Sequence, residues 1–405
     1  MQKCKITIIL IFGIQLSGFC QWEEKNINTN SILTSVDFLN NEIGYVTGGN
    51  KVFKTTNGGD SWVISFTASG TVFFENIVII DDNKIIAVGK DFDAERSLII
   101  RSENGGGNWE TINISNSAFL KSVFFISTNI GYCSGGGGTI LKSVDSGKSW
   151  QELDTGTGIN LQSIYFVNEM VGVAVGGTPI SAVILKTQDG GNSWNEVNSP
   201  TNNNLQSVFF TSPDTGYVVG WNGEIIRTED CGNTWTSQNS VEMSGNLEVV
   251  FTDNNTGYIV GGQLNESLIQ KTINGGELWE DISPTVLHGL TSIVFPFFDV
   301  GYAVGGNGTV VKTQSGGIIS STDPLSFADN VQIYPNPANN KVWIESKENV
   351  IIILVRLYDT NGRLIKVVNV NAMQIEIDCA LLESNIYYFE IQTENENSVK
   401  RFVKS

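Results

Sequence analysis

Most of the side chains able to do chemistry here are carboxylates, and the most regular of them recur in one eight-residue box. SVDSGKSW at 143–150 fixes the order Ser143, Asp145, Gly147, Ser149, Trp150, and TQDGGNSW at 187–194 and TEDCGNTW at 228–235 repeat it. TTNGGDSW at 55–62, SENGGGNW at 102–109 and TINGGELW at 272–279 keep the spacing with Asn57, Asn104 and Asn274 in the acid's place. A further copy, TQSGGIIS at 313–320, lacks its Trp. Carboxylates at such spacing could hold a metal ion or a sugar. A short polar side chain there has a simpler use: it hydrogen-bonds the backbone two residues on and holds a tight turn. Gly59, Gly106, Gly147, Gly191, Gly232 and Gly276 can supply the positive φ such a turn needs. A residue repeated in every unit lies on a ring, whereas a binding site needs different residues in different units. The boxes are therefore read as turn staples, and no metal or cofactor is expected.

The other reactive groups narrow the chemistry further. His288 is the sole histidine, which excludes a multi-His zinc site. Between residues 21 and 318 the arginines are Arg96, Arg101 and Arg227. Arg101 and Arg227 occupy the Lys position of a recurring IxKT segment, so Arg96 alone is free to meet a ligand. No Gly-rich loop follows a strand and opens a helix, so the Gly pairs are turn residues rather than a phosphate cradle. Two carboxylates across a cleft would suit glycoside hydrolysis, and the acids are too many for counting to exclude it.

Around the boxes the chain is a repeat. Box tryptophans at 62, 109, 150, 194, 235 and 279 are 41 to 47 residues apart, the size of a four-stranded propeller blade. Each unit opens with an apolar segment: LTSVDF at 33–38, FENIVI at 74–79, LKSVFF at 120–125, LQSIYF at 161–166, LQSVFF at 205–210, LEVVFT at 247–252 and LTSIVF at 290–295. A Gly-aromatic strand follows (GYVTGG at 44, GYCSGG at 131, GYVVGW at 216), then the IxKT strand, then the box and a strand beginning at its Trp. The first three strand types occur seven times and the Trp strand six. The missing seventh is QWEEKN at 21–26. The N-terminal strand is thus expected to complete the last blade, Trp22 replacing the Trp that the final box has lost. The fold expected is all-β: a seven-bladed propeller closed by the N-terminal strand, then a small C-terminal sandwich.

Residues 1–20 read as a secretory leader, with Lys3 and Lys5 before an apolar core of 11 residues, Ile6 to Leu16, too short to span a bilayer. The chain's formal charge is −18, and loss of the two lysines with the leader makes it −20. Such a balance repels nucleic acid and anionic lipid. No later segment is long enough for a membrane span. Cys133, Cys231 and Cys379 remain in separate units, which argues against a disulfide framework.

The box resembles the Asp-box of bacterial neuraminidase-type repeats, Ser/Thr-x-Asp-x-Gly-x-Ser/Thr-Trp. Boxes, GYxxGG strands and IxKT strands together resemble the propellers of the photosystem II stability and assembly-factor family over residues 21–318. That resemblance implies a protein-binding scaffold without catalysis. Asp-box propellers also include sialidases and xyloglucanase-type glycosidases. Sialidase chemistry needs three arginines from different blades, which this chain cannot assemble, and the xyloglucanase type resembles a clam of two propellers where this chain has one.

From Val331 the character changes. YPNPA, YDTNGRL, IYYFEI and the basic end KRFVKS resemble the type A C-terminal sorting domain of the type IX secretion system of Bacteroidetes, with Asn385 where a Gly is usual. The resemblance implies an address read by the export machinery, with Lys400, Arg401 and Lys404 as the recognition charges. TNG at 360–362 reads as a hairpin turn. The domains expected are a leader at 1–20, the propeller at 21–318, a linker at 319–329 and the sorting domain at 330–405.

Variation among blades points to the loops between second and third strands, which share one face with the loops before each first strand, opposite the boxes. KDFDAERS at 90–97 and QLNESL at 263–268 are long and charged, and Trp221 is the one propeller Trp outside the repeat scheme. Asp91, Asp93, Arg96, Trp221 and Glu266 are the expected ligand contacts. The function expected is a secreted or cell-surface, non-enzymatic binding protein for a protein or glycan. The alternative is a divergent glycoside hydrolase using loop carboxylates.

Overall fold

The computed structural model describes residues 22–316 and 331–404, apart from 240–244, 264, 287, 298–299, 336–337, 339, 347–349, 359–363, 383–385 and 394–396. The expected leader and linker, Asn385 and the turn at 360–362 lie outside the described residues.

Seven four-stranded antiparallel sheets form the blades, and six of them run in chain order from an inner to an outer strand. Blade 1 comprises Leu33–Phe38, Gly44–Gly48, Lys51–Thr55 and Val63–Thr67. The inner strands of blades 2 to 6 are Val72–Ile79, Leu120–Phe125, Leu161–Phe166, Leu205–Phe210 and Asn246–Phe251. Blade 7 has Leu290–Val294, Gly301–Gly305 and Thr309–Thr313, and its fourth strand is Glu23–Asn26, antiparallel with Glu23 opposite Lys312. The N-terminal strand therefore closes the ring as expected, and closure removes the free sheet edges an open array would expose.

Trp22 occupies the seventh tryptophan place. Its ring meets Phe295 edge-on at 6.2 Å. Trp62, Trp150, Trp194, Trp235 and Trp279 meet Phe38, Phe125, Phe166, Phe210 and Phe251 in the same way at 6.0 to 6.1 Å. Each of these phenylalanines ends the inner strand of its own blade, or in the case of Phe295 directly follows it, and in four blades it also stacks on a tyrosine of the preceding one. Tyr302 stacks on Phe38 at 3.8 Å, Tyr132 on Phe166 at 3.7 Å, Tyr217 on Phe251 at 4.3 Å and Tyr258 on Phe295 at 4.0 Å.

This tyrosine is the aromatic of the GY strand, and with the IxKT lysine it explains the repeat. Both donate to the carbonyl of a box glycine in the next blade: Tyr45 and Lys54 to Gly105, each at 2.7 Å, and Tyr132 and Lys142 to Gly190 at 3.0 and 2.7 Å. Across the closure, Tyr302 and Lys312 reach Gly58 at 2.9 and 2.8 Å. Where Ile86 or Val173 replaces the tyrosine, the cation adapts. Arg101 donates Nε to the Ser146 carbonyl at 2.8 Å, and Lys186 reaches Asn233 Oδ1 at 2.8 Å. Removing one of two donors leaves the carbonyl partly satisfied, so Tyr302→Phe is expected to cost about 1 kcal/mol in urea unfolding.

One strand departs from its expected register. LEVVFT was aligned with Leu247 in the first position, but Asn246 sits opposite Gly261 as Leu33 sits opposite Gly48, so Leu247 faces the channel instead. Phe251 thereby takes the place of Phe38 against its tryptophan. A one-residue slip turns every side chain of a strand to the other face, and the aromatic anchor fixes which register is used.

The C-terminal domain is a two-sheet sandwich. Val331–Tyr334, Lys341–Ser346 and Gln374–Asp378 form one sheet, and Leu364–Ala372, Ile352–Tyr358, Ile386–Thr393 and Asn397–Val403 the other. Val342, Ile344, Val355, Phe389 and Phe402 are among the side chains filling the space between them.

Candidate functional site

Each box closes on itself. In the third, Asp145 Oδ1 accepts from the Ser143 hydroxyl at 2.8 Å and from the Ser149 N–H at 2.9 Å, while Oδ2 accepts from the Ser149 hydroxyl at 2.6 Å. Asp189 and Asp230 repeat the pattern. The hydroxyls of Ser193 and Thr234 hold these two carboxyls down to about 2. Asn57, Asn104 and Asn274 accept the same backbone bond through Oδ1, at 3.0, 2.8 and 3.0 Å. Gly59, Gly106, Gly147, Gly191, Gly232 and Gly276 have φ between 77° and 88°. The acceptor oxygens that a metal or sugar would use are spent within the turn.

The residues expected on the loop face are on it but are spread round the ring. Asp91 and Arg96 face each other across the blade 2 hairpin, with Arg96 Nε 3.2 Å from Asp91 Oδ2. Arg96 is therefore not the free cation the sequence suggested, because the ladder register gives it a carboxylate. Asp93, in the same turn, accepts from the Thr71 N–H at 2.7 Å. Trp221 lies in blade 5, on a single 3₁₀ turn, Trp221–Gly223, where blades 3 and 7 carry Gly136 and Gly306. It is 41% exposed. Glu266 is exposed in the blade 6 hairpin, opposite Gln263. In the C-terminal domain, Lys400 and Arg401 lie on the last strand and Lys404 bridges to Ala338, so the basic end is part of the sheet rather than a loose tail.

The inner strands hold what the sequence reading missed. Their first, fourth and sixth positions pack into the blades. The second, third and fifth face the central channel, because a bulge after the first residue turns two neighbours inward. The first two inward tiers line a cavity of about 200 Å³. Its outer tier is Thr34, Glu75, Lys121, Gln162, Gln206, Leu247 and Thr291. Lys121 Nζ lies 2.8 Å from Glu75 Oε1. The second tier works as a belt between blades. Ser35 accepts from the Ile77 N–H, Asn76 from Val123, Ser163 from Val208, Ser207 from Val249, Glu248 from Ile293 and Ser292 from Val36. The third tier, at the box end, is Val78, Phe124, Tyr165, Phe209, Val250 and Val294, with Asp37 as its polar member. Tyr165 touches Phe124 and Phe209, with centroids 4.8 and 5.5 Å away, and narrows that end. The channel is thus a polar cup at the loop face above an apolar collar.

Two carboxylates of the channel, Asp37 in the collar and Glu248 in the cup, have displaced pKa values. Burial pushes Asp37 and Glu248 up to about 7 against the lowering effect of their backbone partners. Asp37 accepts from the Phe38 and Ile79 N–H groups at 2.8 and 2.7 Å, and Glu248 from Ile293 at 2.6 Å. Both carboxylates are engaged in holding neighbouring strands in place.

The comparisons agree with this architecture. Residues 332–405 match the secretion system C-terminal sorting domain, which marks the chain for type IX export. Residues 15–119 and 186–289 match the photosynthesis system II assembly factor YCF48 family, and together they make up just over half of the chain. A solved structure described as "YCF48 bound to D1 peptide" aligns over 73% of this chain and 95% of its own, with a TM-score of 0.61 and 18% identity. YCF48 from Cyanidioschyzon merolae aligns over 73% and 99%, with a TM-score of 0.60 and 18% identity. No curated protein matches the chain by sequence. No helix among the described residues is long and apolar enough to cross a membrane. With its blade count, its seams and its matched segments in agreement, the chain belongs to the photosynthesis system II assembly factor YCF48 family and carries a secretion sorting domain at its C-terminus.

Proposed function

We propose that this chain is a non-catalytic binding protein, delivered outside the cell or to its surface, whose loop face captures a segment of another polypeptide. The observation that carries this reading is the cup, polar where it meets the loops and narrowed by aromatics at the box end. A relative described as bound to a peptide supports a polypeptide over a glycan. The carboxylates with raised pKa, the natural candidates for acid–base chemistry, are occupied by backbone N–H groups, which favours binding over glycoside hydrolysis. Trp221 and Glu266 are the contacts most open to a ligand, while Asp91, Asp93 and Arg96 stiffen the blade 2 hairpin beside the cup. Lys400, Arg401 and Lys404 are assigned to the export address, and the leader at 1–20 and linker at 319–329 complete the route.

The test is to probe the purified exported chain against glycan, polysaccharide and peptide arrays, with product analysis on every hit. Peptide binding without cleavage is expected. Trp221→Ala should weaken it about tenfold, as loss of an exposed aromatic anchor does, with an unchanged melting curve. Cleavage of any hit would refute the non-enzymatic reading, and hits confined to glycans would refute the polypeptide.

A further inference from the structure

The residue just before the position equivalent to Leu33 in each inner strand lies at the rim of the cup. In blades 4 to 7 it is Asn160, Asn204, Gly245 and Gly289, but in blades 1 to 3 it is Ile32, Phe73 and Phe119. Phe92, from the blade 2 hairpin, joins the apolar side: its ring meets Phe119 edge-on at 5.8 Å, and Phe73 meets Phe119 at 6.1 Å. Ile32 is 53% exposed and Phe92 46%. One side of the rim is therefore an apolar arc and the other is amide and glycine. Two lysines are built into the arc. Lys90 lies opposite Phe73 in the ladder and donates to the Ser117 carbonyl, and Lys121 Nζ stands 3.9 Å from the centre of the Phe119 ring. Lys121 is matched by Glu75, whereas the bond made by Lys90 goes to a neutral acceptor.

We propose that this arc of Ile32, Phe73, Phe92 and Phe119, with Lys90, is the anchor of the loop face. It seats an aromatic or branched aliphatic side chain of an extended polypeptide, with an adjacent carboxylate on Lys90. The inference rests on the polypeptide reading above and adds to it a place and a side-chain preference. Three reasons favour a polypeptide here. Phe and Ile offer apolar area without the hydroxyl or indole N–H that sugar recognition uses. Lys90, whose bond goes to a neutral carbonyl, offers a peptide carboxylate a partner on this side of the rim. Aromatics clustered at the mouth of a cavity, Phe92 exposed and Phe73 and Phe119 half-buried, are the kind of group that dominates binding energy.

The experiment pans a display library of random twelve-residue peptides on the exported full-length chain, then measures the selected peptides by titration. The selected pool should be enriched in aromatic or branched aliphatic residues beside Asp or Glu. Phe92→Ser, at a half-exposed turn position, should weaken binding at least about tenfold, the loss expected of an anchor residue. Lys90→Gln should abolish the preference for the acid while the apolar preference survives. If peptides bind both variants as they bind the parent but are lost with Trp221→Ala, the arc is overturned and the loop-face reading stands. If no peptides are selected, or none of the three substitutions affects those that are, both are overturned.

Discussion

Trp22→Ala is expected to lower the stability of the propeller by about 3–5 kcal/mol, the usual cost of emptying a buried indole site. The effect should exceed that of the same change at Trp109, which is half-buried and faces Phe66 at a tilt rather than a phenylalanine of its own inner strand. Trp22 is 2% exposed and anchors a strand of only four residues, Glu23–Asn26, so its loss frees the end of the chain as well as opening a cavity. Truncation to Ile27 should leave blade 7 with an open edge, more sensitive to proteolysis and prone to associate. A synthetic peptide of residues 21–30 should then restore the melting temperature in proportion to the logarithm of its concentration above its dissociation constant. If Trp22→Ala melted like the parent, the closing strand would not be structural.

The second large effect is on pH. Burial raises Asp37 and Glu248 to about 7, so from the ordinary carboxylate range up to 7 the folded protein holds protons that the unfolded chain has released. Stability therefore falls as pH rises through that interval, by the linkage between proton uptake and folding. Each group is expected to contribute about 2 kcal/mol between pH 4 and 8, a figure discounted for the partial exposure of both residues. Asp37 raises Glu248 electrostatically only as a small addition to burial, so the effects of the two single substitutions should nearly add. Asp37→Asn and Glu248→Gln together should flatten the profile. The box aspartates Asp189 and Asp230, held near 2, act in the opposite sense but only at lower pH, so urea midpoints at pH 5 and pH 8 isolate the channel pair. A midpoint that rises from pH 5 to pH 8 would contradict the assignment.

How far the sequence could be read depended on whether a residue's partner was local. The box needs only groups within eight residues, so its turn and its glycines were legible. Closure was legible because strand types can be counted, and Trp22 filled the one vacancy. The seam was not, since Tyr302 and Lys312 converge on the backbone carbonyl of Gly58, an acceptor that every residue type carries and that lies 244 residues from Tyr302. The tiers of the channel were hidden for another reason. A bulge after the first residue of each inner strand turns two adjacent side chains inward, so simple alternation misassigns Glu75 and Lys121. Arg96 was taken as free because its match with Asp91 is a matter of hairpin register. The expected loop residues come from blades 2, 5 and 6, and the apolar arc escaped notice because no single blade contains it.

The measurement closest to the central claim is site-specific photo-crosslinking in the exported protein on intact cells. A photoreactive residue at position 221 probes the loop face, and one at Ile273, which is 72% exposed within a box, probes the opposite face. Polypeptide adducts formed from position 221, absent from position 273 and lost when Phe92→Ser is added, are the predicted result. Adducts formed from position 273 alone would contradict the account.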